Sequence, residues 1–245
     1  PELSRGLGDV YKRQLIIIPQ LYMFDLSFRP NIPPLLRGGP DDVYTFVHYK
    51  HFLFGSETSG ESYNYVDVGV FLDTIITAIL VTLINLCFCY PIAFYIAKVA
   101  SSNTARLLIV SLIIPFWINE LLRSFALRIL FAGEGFINNV LIKLGLIDSG
   151  INFIAMDVAL YTGLNYAYIL LMIFPLYNAI ETLDKNQLEA AEDLGSSMIR
   201  THLRIVIPHA KAGIASGCTM VFMLTAGALA TPVVLSSPIH FGSLN

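Results

Sequence analysis

Glu120 is an acid inside an apolar run. The stretch 107–131 is long enough to cross a bilayer, yet it carries Glu120, Arg123 and Arg128. An ionisable group at membrane depth is costly and by default marks a pathway or a pair. Glu120 lies 14 residues after Arg106, ~21 Å deeper along a continuous helix, which puts it in the outer half of the membrane. Arg123 follows three residues later on the same face. Two readings stand. One is a Glu120–Arg123 ion pair that neutralises itself. The other is a Glu120 carboxylate that faces a pathway and helps a cation shed water. Trp117, one turn earlier, offers a cation–π face or simply packs. Asp157 and Tyr161, at i and i+4, form a similar pair near the outer mouth of a later apolar run, where Asp157 can equally sit at headgroup level.

Other chemistry is poorly supported. Cys87 and Cys89 lie in an apolar run with no third or fourth ligand nearby in sequence, so they read as small lipid- or helix-facing residues and no metal site is expected. The 55–62 stretch has the glycine spacing of a phosphate-binding loop, but Glu61 stands where the lysine must be and no strand precedes it. Any ATP hydrolysis must therefore belong to another chain. No Ser/His/Asp constellation is present, so the chain does not read as an enzyme. A net charge of −3 gives no broad basic patch for nucleic acid.

The elements that would hold these residues are membrane helices. Of 245 residues, 55% are hydrophobic and 13% charged, against about 25% charged in ordinary soluble domains. The mean hydropathy is +0.66. A span needs ~20 apolar residues, and four runs qualify: 74–97, 107–131, 158–180 and 214–235. The apolar run 15–24 is too short to cross and reads as the remnant of a first helix. The stretch 7–14 resembles translated adapter sequence, so 1–14 reads as a non-native tail. Basic residues gather at 98–106 and in 181–211, which places both in the cytoplasm by the positive-inside rule. The acidic segment 25–69 and the loop 133–152 then lie outside. The expected fold is an all-α polytopic membrane protein with its transmembrane domain at 70–245.

The cytoplasmic segment 181–211 carries the clearest local design. Asp184 can cap a helix, with Gln187 three residues on. Leu188, Ala191 and Gly195 fall on one small apolar face, and Gly195 suits a left-handed stop. Ser196 or Ser197 can cap a second helix carrying Ile199, Leu203 and Val206 on one face, with Pro208 at its exit. From periodicity alone, a solvated loop with a few i,i+4 pairs explains it equally well.

The residues themselves narrow the choice. Glu189-Ala190-Ala191, three residues, Gly195, nine residues, then Ile205-Val206-Ile207-Pro208 resembles the EAA motif of ABC-importer permeases, E-A-A-x3-G-x9-I-x-L-P, with Ile207 the one departure. The resemblance implies that Glu189, Ala190, Ala191, Asp193, Gly195, Ile205 and Pro208 form a coupling surface for a separate ATPase subunit. Further stretches resemble the permeases of spermidine/putrescine systems: Pro115-Phe116-Trp117, Leu122-Arg123, Gly133 to Asn138, Leu144 to Asp148, Pro175-Leu176-Tyr177 and Ala230-Thr231-Pro232. Cys89 and Leu170 depart from that pattern. The resemblance implies a type I ABC-importer (MetI-like) transmembrane domain, truncated at both ends, with four full spans plus the remnant of the first. It implies a multi-pass protein of the bacterial plasma (inner) membrane that moves polyamines inward by alternating access. The implied partners are an ABC ATPase dimer, a second homologous permease, an extracytoplasmic substrate-binding protein and the lipid bilayer. ATP and Mg would bind the ATPase, with no cofactor on this chain. Trp117, Glu120, Asp157 and Tyr161 are the candidate substrate pathway. Permeases for iron or sulfate share the scaffold, and an ion-driven secondary transporter is the alternative class.

Overall fold

The computed structural model describes residues 2–30, 39, 43–55 and 64–235, with side chains from residue 14. The rejected phosphate-loop stretch, apart from Gly55, and the tail after Leu235 lie outside the described residues. All regular elements among them are helical. The chain divides into two compact units, Pro1–Phe71 and Leu72–Asn245.

The first unit holds α1 (Glu2–Ser27) and α2 (Val47–Phe54). α1 runs unbroken across the expected boundary at residue 14. At its end, the Phe28 ring meets Phe24 and Phe46 edge-on, at 5.0 and 5.6 Å. Asp25 accepts hydrogen bonds from the Tyr44 hydroxyl at 2.7 Å and from Arg29 Nε at 2.7 Å. These two donors, Tyr44 first, hold the Asp25 carboxyl below its ordinary value of 3.8.

The second unit is built on long helices. α3 (Tyr65–Phe94) continues as a π-helical turn, Tyr95–Val99, making one apolar stretch of 35 residues. Pro91 lies just before that turn, where its missing N–H loosens the ladder. α4 (Ser102–Ile113) tightens into a 3₁₀ turn, Ile114–Trp117, and α5 (Glu120–Leu130) follows at a bend of 93°. The straight second span expected over 107–131 is therefore broken. Pro115 removes a backbone donor, Ile118 and Asn119 take extended backbone, and Asn119 caps α5 by accepting from Leu121 N at 2.9 Å.

α6 (Phe136–Lys143) precedes α7 (Val158–Glu181), which matches the expected third span. α8 (Lys185–Asp193) and α9 (Met198–Thr201) follow. A π turn, His202–Val206, joins α9 to α10 (Ile207–Ala226), so the last span begins at Met198 and ends at Ala226. The expected 214–235 was displaced, because Gly227 closes α10 and α11 (Ala230–Leu235) starts a separate helix.

α7 is the central helix: Leu164, Met172, Leu176 and Ile180 are all 1% exposed or less. Lipid offers apolar side chains as good a home as protein does, so close approach rather than water exclusion must join spans. Gly213 and Gly217 provide it. A Cβ on Gly213 would meet the Pro175 carbonyl oxygen at 2.5 Å, and one on Gly217 the Met172 sulfur at 2.8 Å. This glycine pair packs α10 against α7 inside the chain.

Candidate functional site

Segment 181–211 folds around α8. Asp184 caps it, accepting from Asn186 N at 3.0 Å. Gly195 ends it at φ 71°, with Gly195 N donating to Glu192 O and Ser196 N to Ala191 O. Only a residue without Cβ enters that left-handed turn at no cost. Ser197 occupies the next cap position without a capping bond from its hydroxyl, while Ser196 Oγ accepts from Thr201. Glu189, Ala190, Asp193, Gly195 and Pro208 are exposed, Ala191 is buried and Ile205 is half-buried. The sequence-derived apolar face splits. Val206 is buried, whereas Ile199 and Leu203 are 74% and 61% exposed. The π turn adds a residue to the helical repeat and rotates Val206 away from the other two.

Four long-range bonds fix this segment to the spans. Lys98 Nζ donates to the carbonyls of Glu181, at 3.0 Å, and Leu183, a cation placed at the negative end of α7. The Tyr90 hydroxyl and His202 Nδ1 lie 2.7 Å apart, with the Phe94 ring 4.4 Å from the imidazole. Thr182 Oγ1 and His209 Nε2 lie 3.0 Å apart. Sequence reasoning missed these partners. Only Lys98 left a signal, as the basic residue closing a span.

A second polar cluster forms at the break. Glu120 opens α5, where the free N–H groups favour an anion. Thr231 Oγ1 donates to Glu120 Oε1 at 2.9 Å, and Ser124 Oγ donates to Thr231 Oγ1 at 3.4 Å. Ser124 and Thr231 are buried. The Glu120–Arg123 ion pair is not made, because the Arg123 guanidinium sits 5.3 Å from the Tyr166 ring centroid instead. Among the described residues the salt bridge within 4.0 Å is Arg29–Asp25. The bend swings Arg123 toward α7, while Glu120 turns to α11. Arg128 donates to the Val234 carbonyl, closing the end of α11. Trp117 is 84% exposed at the break and does not pack in the interior. Asp157 heads α7 in a left-handed conformation, φ 57°, which Asp tolerates better than most residues. Tyr161 lies one turn further, half-buried against the core. Cys89 is buried, its thiol donating to Asn85 Oδ1 and the Ile169 carbonyl at 3.7 Å, and Cys87 is exposed.

No family model matches the chain. Among known proteins it is similar to the spermidine/putrescine transport system permease protein PotB of Escherichia coli (strain K12), with 40% identity over 158 residues, 64% of this chain and 57% of that protein. The PotB of Haemophilus influenzae is 30% identical over 212 residues, 86% of this chain and 69% of its own length. The inner membrane ABC transporter permease protein YdcU of E. coli is 27% identical over 241 residues, 93% and 76%. The chain thus spans a little over half of the E. coli PotB. A crystal structure of a bacterial ABC transporter involved in the import of the acidic polysaccharide alginate superposes with a TM-score of 0.66 at 15% identity, covering 98% of this chain and 78% of that one. At that identity the likeness shows the fold alone, an all-α MetI-like transmembrane domain. The long apolar helices and these relatives make it a multi-pass protein of the bacterial inner membrane. With the Haemophilus protein matched along more than two thirds of its length, the chain belongs to the PotB family of ABC-transporter permeases.

Proposed function

We propose that the chain is the permease subunit of an ATP-driven importer that moves polyamines inward by alternating access. It has no catalytic centre in this reading, and a separate ATPase dimer binds ATP and Mg. The observation that carries the proposal is α8. It is an exposed helix capped by Asp184 and closed by Gly195, and the chain on either side of it is fixed to the spans by Lys98, His202 and His209. Such a segment transmits a push from a docked partner rather than absorbing it. Glu189, Ala190, Asp193, Gly195 and Pro208 form the docking face, with Ala191 and Ile205 beneath. A second homologous permease completes the pathway, and a substrate-binding protein delivers from the outer side. Two-state closure of the ATPase then biases which side the cavity opens to.

Polyamine as substrate is supported by the relatives' names and by the carboxylate of Glu120, with Trp117 exposed beside it. A polyamine must exchange hydration for acids and aromatic faces. Asp157 and Tyr161 would serve an outer station.

The test is the complete transporter in liposomes, with ATP inside and labelled spermidine, putrescine, sulfate or ferric iron outside. Uptake of polyamines alone is expected. Uptake of sulfate or iron instead would keep the importer class and discard the substrate. Glu189→Arg or Gly195→Trp should abolish uptake while the subunit stays in the membrane. Full uptake in both variants would sink the coupling assignment. Uptake driven by membrane potential without the ATPase would favour a secondary transporter.

A further inference from the structure

A cavity of about 480 Å³ opens in the second unit between the end of α3, the start of α4 and the junction of α7 with α8, the end that the positive-inside rule assigns to the cytoplasm. We infer that it binds the phosphate headgroup of an anionic phospholipid, with an acyl chain lying along α4. The volume is in the range of small-ligand sites.

Its charge has the right sign. Arg106 from α4 and Lys185 from α8 both line it, and neither makes an ion pair among the described residues. Lys98 lies close enough to Lys185 for the two charges to repel. Glu181 lines the same cavity, and Asp184 is near Lys98; together they offset part of the charge, and the sum stays positive. The excess positive charge, drawn from separate elements, suits an anionic ligand. The same charges exclude a polyamine from this place.

The apolar wall selects a lipid. Ile109 and Val110 continue from Arg106 along α4, and Val110 is 51% exposed. It lies ~12 Å along the helix from Ser102, which is the step from headgroup to upper acyl chain. Basic pockets between membrane helices on the cytoplasmic side are suited to anionic headgroups.

The chain itself, in mild detergent, suffices for the test and involves no transport. Native mass spectrometry would follow retention of phosphatidylglycerol against phosphatidylethanolamine. Wild type should prefer the anionic lipid. R106Q/K185Q should lower its affinity about 25-fold, at about fivefold per cation. R204Q/K211Q removes the same charge elsewhere on the cytoplasmic side and should leave it unchanged. Ala105→Phe fills the cavity with the charges intact and should also release the lipid, which covers the case where the double variant misfolds. Equal retention of both lipids, or equal loss in the control variant, would overturn the site. Displacement of the lipid by millimolar inorganic phosphate would assign the pocket to a soluble phosphate and overturn the lipid.

Discussion

Glu120 and Asp25 are both carboxylates held by hydroxyl donors, and their surroundings give them different consequences. Thr231 fixes one oxygen of Glu120 at 2.9 Å, which leaves the other for a ligand. In the complete transporter, Glu120→Gln should lower polyamine uptake about 10–100-fold, the worth of one hydrogen bond to a charged group. ATPase activity should persist, and unchanged uptake would remove Glu120 from the pathway. Asp25 answers to pH. Its folded-state pKa is depressed by Tyr44 and Arg29. The stability it contributes is therefore fully present above the unfolded value of ~3.9 and is lost as pH falls through the lower, folded value. The amide of Thr45, bonded to Phe28 O at 2.6 Å, reports on that contact. Its hydrogen-exchange protection, corrected for intrinsic rate, should weaken below pH ~4 in wild type and lose this dependence in Asp25→Asn. The same pH profile in both would show that Asp25 does not matter there.

At the scale of elements, two glycine positions do different work. Gly195 has open space around a notional Cβ, so its constraint is the positive φ alone. Gly195→Ala should cost about 1–2 kcal/mol locally, seen as faster exchange of the Ser196 amide, with Gly195→Asn milder. Gly213 is constrained by space. Alanine there would strike the Pro175 carbonyl, which is backbone, whereas alanine at Gly217 meets a flexible methionine. Gly213→Ala should therefore destabilise the α7–α10 pair by about 1–3 kcal/mol and Gly217→Ala by less. Thermal unfolding in detergent that ranks them the other way would refute this packing. The broken span is the third case. Pro115 and the extended Asn119 end one helix and start another, and the new N-terminus is where Glu120 sits.

For the whole molecule, the fold accounts for long apolar helices able to cross a membrane, while the proposed substrate choice rests on a few side chains. Among the described residues, the three candidate spans, or four with the bent pair counted as one, are legible because each is a run of apolar residues of bilayer length. The capped α8 is legible because Asp184 and Gly195 each act within one helical turn. These features are local in the chain, and composition and short spacing determine them.

What stayed hidden depends on residues far apart in sequence. A Glu120–Arg123 ion pair was one of the two readings, because a straight helix would align them. The 93° bend separates them and brings Thr231, 111 residues away, to the carboxylate instead. Ile199, Leu203 and Val206 were expected on one face, and the π turn broke their phase. The sequence by itself determined which runs are apolar and long enough to cross a membrane, since partition into lipid is read residue by residue. Only the tertiary structure decided which polar groups meet inside, because a buried hydrogen bond needs both partners in place and neither announces the other.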